Sequence, residues 1–121
     1  MLETDYIEDL FAPLGPVGVR NMFGGQGVYY DGLMIALVAY GTVYLKTDTE
    51  TVPEFEAAGS EPFTYVAKDR SPVVMSYWRL PEEAIDDPDA FRTWAEKAVA
   101  AAIRANAKKK PKKKKTASEI R

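Results

Sequence analysis

The dipeptide Asp31-Gly32 is the local signal that most restricts the fold of this chain. A two-residue hairpin turn holds both central residues at positive φ, and Asp-Gly between two extended runs meets that requirement. The flanking runs, Gly27–Tyr30 and Leu33–Ala39, therefore predict an antiparallel hairpin. The second run is apolar throughout, which is typical of a central strand covered on both faces.

Further extended segments continue this sheet on both sides. An alternating run from Val17 to Phe23 predicts a strand before the hairpin, and a turn at Tyr40-Gly41 leads into a short strand over 43–46. The runs Phe63–Ala67 and Val73–Leu80 predict a second hairpin.

Three helices complete the predicted order. The first has an apolar face from Tyr6 to Leu14, with Thr4 as its N-cap, and the second covers Thr47–Ala58. The third begins at Asp87-Pro88 and extends to about Ala107. The order of helix, three to four strands, helix, two strands and helix predicts an α+β fold, in which a two-layer arrangement packs an antiparallel sheet against helices.

Composition removes several kinds of chemistry. With 46% hydrophobic residues the chain can form a core, but it has neither cysteine nor histidine, so thiolate catalysis, disulfides and the commonest metal ligand are absent. The paired carboxylates lie at predicted helix starts or on polar faces, where solvation and the helix dipole account for them. We expect no enzymatic activity, no catalytic residues, no cofactor and no metal, although a divalent ion at Asp86–Asp89 stays an alternative.

Charge divides the chain into two parts. The formal net charge of −2 hides an acidic segment that ends near Ile103 and a basic segment that follows it. We expect an α+β domain at 1–107 and a lysine-rich disordered tail at 108–121, because so polar a segment cannot bury enough apolar surface to become ordered. The tail is a candidate for weak, non-specific binding of nucleic acid or of an anionic lipid surface. The alternatives are a merely solvated tail and one folded back on the acidic body. Its lysines are Lys108, Lys109, Lys110, Lys112, Lys113, Lys114 and Lys115.

A glycine cluster follows the first predicted strand. Phosphate-binding loops need a helix on one side, whereas strands are expected on both sides of these glycines, so the cluster favours a bulge or a tight bend at positive φ. An anion site is the alternative. The residues that form this structural motif with the hairpin turn are Met22, Phe23, Gly24, Gly25, Gly27, Asp31 and Gly32.

Three cations within predicted strands are candidate binding residues, namely Arg20, Lys46 and Arg79. Lys46 alternates with Leu45, which predicts a surface lysine, with a buried base of lowered pKa as the alternative. The run Tyr77-Trp78-Arg79 is compatible with base stacking, but core packing accounts for aromatic residues first, and the acidity of the body argues against a nucleic-acid face.

Several segments together resemble the N-terminal domain of the TfoX/Sxy family. The most specific are Arg20-Asn21-Met22-Phe23-Gly24-Gly25 with Gly27, and Tyr44-Leu45-Lys46-Thr47-Asp48 at the expected distance. The resemblance implies a two-layer α+β domain and a role in regulating natural competence, where members help a cyclic-AMP receptor protein to activate promoters. Those regulators carry a second, helical domain, and here the lysine-rich segment stands in its place.

Two functional hypotheses from different classes follow. The first is a cytoplasmic, non-enzymatic regulatory domain that contacts a protein partner, such as a transcription regulator, while its tail gives non-specific affinity for nucleic acid. The second is a protein-only interaction module or homodimer, which pairs through an edge strand at Gly27–Tyr30 or Val73–Leu80. An enzyme that uses carboxylates, Lys46 or a tyrosine is a third and weaker hypothesis. The acidic N-terminus and the lack of a long apolar run predict a chain without a signal peptide or a membrane span.

Overall fold

The computed structural model describes residues 2–22, 24–66 and 68–115. Phe23, one of the predicted motif residues, lies outside them, and so do residues 116–121 of the predicted tail. The elements in chain order are α1 (Thr4–Phe11), β1 (Gly18–Met22), β2 (Gly25–Tyr30), β3 (Leu33–Ala39), β4 (Thr42–Lys46), α2 (Val52–Ala57), β5 (Pro62–Val66), β6 (Pro72–Arg79), a 3-10 turn (Glu82–Ala84) and α3 (Pro88–Lys115). The predicted α+β fold is confirmed.

The strands form one antiparallel sheet in the order β1-β2-β3-β4-β6-β5. The β2–β3 turn has φ of 51° at Asp31 and 80° at Gly32, as the Asp-Gly signal predicts, and Tyr40 and Gly41 repeat that geometry between β3 and β4. The edge strands are β1 and β5. Our expectation that Gly27–Tyr30 or Val73–Leu80 lies at an edge is therefore wrong, because β6 inserts between β4 and β5 and β1 covers β2.

The core lies between the helices and one face of the sheet. A cross-strand row of Val28, Ala36, Leu45 and Trp78 faces the helices. The α3 helix crosses β3 and β4 on this side and presents small buried alanines, which let its backbone approach the sheet closely. Large rings fill the remaining core. Phe11 meets Phe91 edge to face at 4.9 Å, and Phe55 packs against Trp94 at 4.7 Å.

The α2 helix is shorter than the predicted range Thr47–Ala58. The Asp48 carboxylate accepts hydrogen bonds from the backbone N–H groups of Glu50 (3.1 Å) and Thr51 (3.2 Å), so residues 48–51 form a turn before the helix begins. The end agrees with prediction. Gly59 has φ +81°, and the Ser60 N–H donates to the Phe55 carbonyl, which closes the helix.

The α3 helix begins as predicted, because Asp87 Oδ1 accepts from the backbone N–H groups of Asp89 (3.0 Å) and Ala90 (3.2 Å). Its end differs from the sequence-based expectation. The sequence predicts a stop near Ala107, whereas the helical backbone continues to Lys115. Alanine and lysine are strong helix formers, and an existing helix gains one hydrogen bond for each residue added except Pro111, which has no N–H to donate. No helix in the described ranges is long and apolar enough to cross a membrane.

Candidate functional site

The predicted glycine motif forms the connection between β1 and β2. Gly24 has φ +81°, the tight bend that the sequence predicted, and both neighbouring segments are strands. Gly25 is needed for a different reason, since a Cβ there would lie 2.3 Å from the Val38 carbonyl oxygen. The cluster therefore shapes the sheet.

Gly27 allows three larger side chains to meet above it. A Cβ on Gly27 would lie 2.9 Å from Met22 Sδ, 3.1 Å from Tyr29 Cε1 and 3.3 Å from Met34 Sδ. These side chains lie on the face of the sheet that points away from the helices. The glycine thus permits an apolar cluster on a surface where the described helices do not pack.

A second cross-strand row shows how far this surface extends. Arg20 pairs with Gly27, Gly27 with Leu37, Leu37 with Tyr44, and Tyr44 with Arg79, across five neighbouring strands. Residues directly opposite each other in a sheet share a face. The row alternates with the core row, so it faces away from α3.

The structure brings all three candidate cations to this surface. Arg20 and Arg79 lie at the two ends of the row, and Lys46 is two residues beyond Tyr44 on the same side of β4. The Arg20 guanidinium lies 5.3 Å from the Tyr29 ring centroid. Lys46 Nζ lies 5.2 Å from the Tyr77 ring centroid and donates to Ser76 Oγ (2.8 Å). The prediction that Lys46 points away from the core is confirmed.

Aromatic rings continue the surface onto β5 and β6. The Tyr44 and Phe63 rings meet edge to face at 5.0 Å, and Phe63 stacks with Tyr65 at 6.3 Å. Burial raises the pKa of Tyr77, so its hydroxyl stays protonated and cannot serve as a phenolate base. We call this surface the open face. Its residues are Arg20, Met22, Tyr29, Met34, Leu37, Tyr44, Lys46, Phe63, Tyr65, Tyr77 and Arg79.

Most of the open face was not identified from the sequence. The signal that could have found it is strand alternation, since Tyr29, Leu37 and Tyr44 each adjoin a core residue of their own strand. Trp78 belongs to the opposite side, where it packs against Phe55 at 6.4 Å. The run Tyr77-Trp78-Arg79 is thus divided between the two faces.

The carboxylates of the described residues have structural partners at several predicted positions. Glu83 accepts from Trp94 Nε1 (2.8 Å), Glu54 pairs with Lys97 (2.6 Å), and Asp87 caps α3. Residues 2–22, 24–66 and 68–115 contain no group of three or more carboxylates that could hold a metal ion.

Two polar contacts that the sequence did not predict fasten the ends of the domain. The buried Gln26 side chain exchanges two hydrogen bonds with the backbone of Leu2, at 3.0 and 2.8 Å. Arg104 binds Asp48 through two hydrogen bonds. Arg104 is the first residue of the basic segment that follows Ile103, and its side chain binds the turn after β4. Lys108, the first lysine of the predicted tail, is exposed.

The fold and this surface define a small α+β domain with helices on one side of an antiparallel sheet and a polar-aromatic surface on the other. The model of the TfoX N-terminal domain family matches residues 9–102. The chain belongs to that family, which confirms the resemblance seen in the sequence. One relative is the DNA transformation protein TfoX1 of Aliivibrio fischeri (strain ATCC 700601 / ES114), 34% identical over 71 residues. That alignment covers 55% of this chain and 34% of the relative, so the chain spans about a third of the relative's length.

Proposed function

We propose that this chain is a non-enzymatic regulatory domain that contacts a protein partner through the open face. The partner class is a protein of transcription regulation, in keeping with the DNA transformation protein named among the relatives. We place this activity in the cytoplasm. The basic segment at 108–115 adds weak, non-specific affinity for nucleic acid.

The composition of the open face is the observation that carries this proposal. Tyrosine, phenylalanine, methionine and arginine are the residue types enriched where proteins bind one another, and tyrosine and arginine often dominate the binding energy. A contiguous apolar surface on a small domain commonly marks such a site. The open face combines these residue types on neighbouring strands, with Met22 40% and Tyr65 44% exposed.

The chemistry of the described side chains supports binding over catalysis. A general base needs a pKa near the working pH, and such groups are commonly buried beside a charge. The shift at Asp48 runs the other way, because Arg104 lowers its pKa, and burial raises the pKa of Tyr77. Neither pKa is shifted toward neutral pH, where a general acid or base would work.

Partner capture tests the protein-binding part. Immobilised chain is incubated with nuclease-treated lysate, and the bound proteins of wild type and Tyr44→Ala are compared by mass spectrometry. Tyr6→Ala is the matched control, because Tyr6 is a half-exposed tyrosine on α1. We expect Tyr44→Ala to lose partners that Tyr6→Ala retains. Because Arg20 is exposed, Arg20→Gln should leave the fold intact, so a loss of the same partners in this variant would not come from unfolding. Equal capture by all variants would contradict the proposal.

A salt titration tests the nucleic-acid part. Binding of fluorescent duplex DNA is measured at two salt concentrations for the wild type and for a variant with the seven lysines of 108–115 changed to glutamine. Each phosphate neutralised contributes about −0.9 to the slope of log K against log salt. We expect the variant to lose most of that slope, and an unchanged slope would refute this role.

A second candidate function follows from the outer edge of β1. Four of its five residues are exposed, and an unpaired strand edge can add a strand from another chain. A homodimer joined at β1 would act without nucleic acid. Light scattering across a range of concentrations tests this candidate, because a homodimer should raise the apparent mass as the concentration rises, and a constant monomer mass would rule it out.

A further inference from the structure

The charges on the open face are all of one sign. The six strands contain no aspartate or glutamate, and their only charged residues are Arg20, Lys46 and Arg79. The many acidic residues of the chain lie in its helices, turns and connecting segments. A domain that is acidic as a whole therefore presents one basic surface.

Two of these cations can form an ion pair with an added carboxylate. Among the described residues, no carboxylate lies within ion-pair distance of Arg20, whose guanidinium lies over the Tyr29 ring. The Arg79 guanidinium is 3.9 Å from the Glu61 carboxylate, and the side chains are 40% and 68% exposed, so that pair is weak. An incoming carboxylate can bind either guanidinium without displacing a strong partner.

The spacing of these cations defines the size of what they can hold. Arg20 and Arg79 are four strand spacings apart, which corresponds to about 19 Å at about 4.8 Å for each spacing. Leu37 and Tyr44 lie between them in the same row, and Lys46 stands to one side. The surface therefore offers an apolar centre with positive charge at both ends.

We propose that the open face binds an acidic segment of a partner protein, whose apolar side chains cover Leu37 and Tyr44 while its carboxylates pair with Arg20 and Arg79. This inference rests on the proposed function and specifies the chemistry of the partner. Complementary charge at the rim of an interface speeds association and selects among partners, while the apolar centre supplies most of the affinity.

Two other occupants fit the surface less well. A second copy of the chain docked face to face would bring like charges together across the interface, which is unfavourable. A single strand of nucleic acid would stack its bases on exposed rings. Here Arg20 and Lys46 already lie over Tyr29 and Tyr77, and Phe63 is engaged by both Tyr44 and Tyr65. Bases would compete with these contacts for the same rings.

The test begins with a displayed library of random peptides selected on the full chain. Peptides of about 15 residues suffice, since even a helix of that length, at about 1.5 Å per residue, spans the distance between the two arginines. We expect the enriched peptides to combine acidic with apolar residues. In spectra of the chain labelled at its methionine methyl groups, the best peptide should shift Met22 and Met34.

Variants then test the charge pairing. Arg20→Gln and Arg79→Gln should each weaken the peptide by about 2- to 5-fold, the range expected for an exposed ion pair. Arg92→Gln should leave it unchanged, because Arg92 lies exposed on α3 and pairs with Glu96. Changing the peptide's acidic residues to their amides should weaken it as well and make the remaining affinity insensitive to salt.

The outcomes separate this inference from the function on which it rests. Neutral or basic peptides that shift the same methyl groups would overturn the acidic partner and leave protein binding by the open face intact. Shifts caused by oligothymidylate and by none of the selected peptides would replace the proposal with single-strand binding. If neither probe shifts Met22 or Met34, both the inference and the proposed use of the open face fail.

Discussion

Arg104 on α3 holds the carboxylate of Asp48, 56 residues earlier in the chain, with Nε 2.5 Å from Oδ2 and Nη2 3.1 Å from Oδ1. Arg104 Nε is also 3.3 Å from Oε2 of Glu50. Two parallel hydrogen bonds between a guanidinium and a carboxylate fix geometry as well as charge. The pair therefore ties the long helix to the turn that follows β4.

This pair should make stability depend on pH. The hydrogen bond from Arg104 lowers the pKa of Asp48, so its contribution is complete above the unfolded value of about 3.9 and is lost as the pH falls through the lower folded pKa. Urea unfolding of wild type and Asp48→Asn should therefore differ most near neutrality and converge in acid. A difference that stays constant down to about pH 2 would show that the ionised pair contributes nothing.

Replacing Arg104 tests the same contact from the other side. Arg104→Lys keeps the charge but cannot form two parallel bonds, so it should recover only part of the stability lost in Arg104→Ala. The exposed pair Arg92–Glu96 supplies the control. Double-mutant cycles should give a larger coupling for Arg104 with Asp48, and equal couplings would contradict the structural role.

Gly25 should be intolerant of even one added carbon atom. A Cβ there would lie 2.3 Å from the Val38 carbonyl oxygen, and backbone cannot move aside as a side chain can. We expect Gly25→Ala to lower the free energy of unfolding by about 1–3 kcal/mol. Gly18→Ala is the matched control, because nothing lies within 4 Å of its added carbon, and it should change stability by less than about 0.5 kcal/mol. Equal effects would disprove the clash.

Gln26 should be replaceable neither by alanine nor by glutamate. Its amide accepts from the Leu2 N–H and donates to the Leu2 carbonyl, so Gln26→Ala should cost about 1–3 kcal/mol. Gln26→Glu buries a charge with no donor for that carbonyl, which raises the pKa of the new carboxyl. Its stability relative to wild type should therefore improve as the pH falls from 7 toward 4. The absence of such a trend in thermal unfolding would refute this placement.

Thr47 offers the opposite case, a buried group whose removal should be harmless. Its side-chain oxygen has no hydrogen-bond partner among the described residues. Burying a hydroxyl without a hydrogen-bond partner is unfavourable, because the group loses its water. Thr47→Val should therefore leave the free energy of unfolding unchanged or raise it by up to about 1 kcal/mol. A loss of more than that in urea unfolding would mean that the hydroxyl has a partner.

Local features of this fold were predictable, and distant pairings were not. The residue types of Asp31-Gly32 and Asp87-Pro88 favour particular local conformations, so these dipeptides form the expected turn and helix start. The edge strands were wrong, because the insertion of β6 beside β4 depends on contacts across more than thirty residues of chain. No local pattern encodes that order.

The open face illustrates the same limit. Arg20, Lys46 and Arg79 were each candidates from their strand positions, but only the register of five strands places them on one surface with Tyr44 between. Gly27 was predicted to shape a bend. Its position beneath Met22 and Met34 required the neighbouring strands to be known.

Methionine oxidation is the most direct measurement of whether partners use this surface. Met22 is 40% exposed on the open face, so dilute peroxide should convert it to the sulfoxide in the free chain, as mass spectrometry of peptides can quantify. In complex with the partner captured from nuclease-treated lysate, we expect Met22 to be oxidised several times more slowly. An unchanged rate of Met22 oxidation in that complex would contradict binding at the open face.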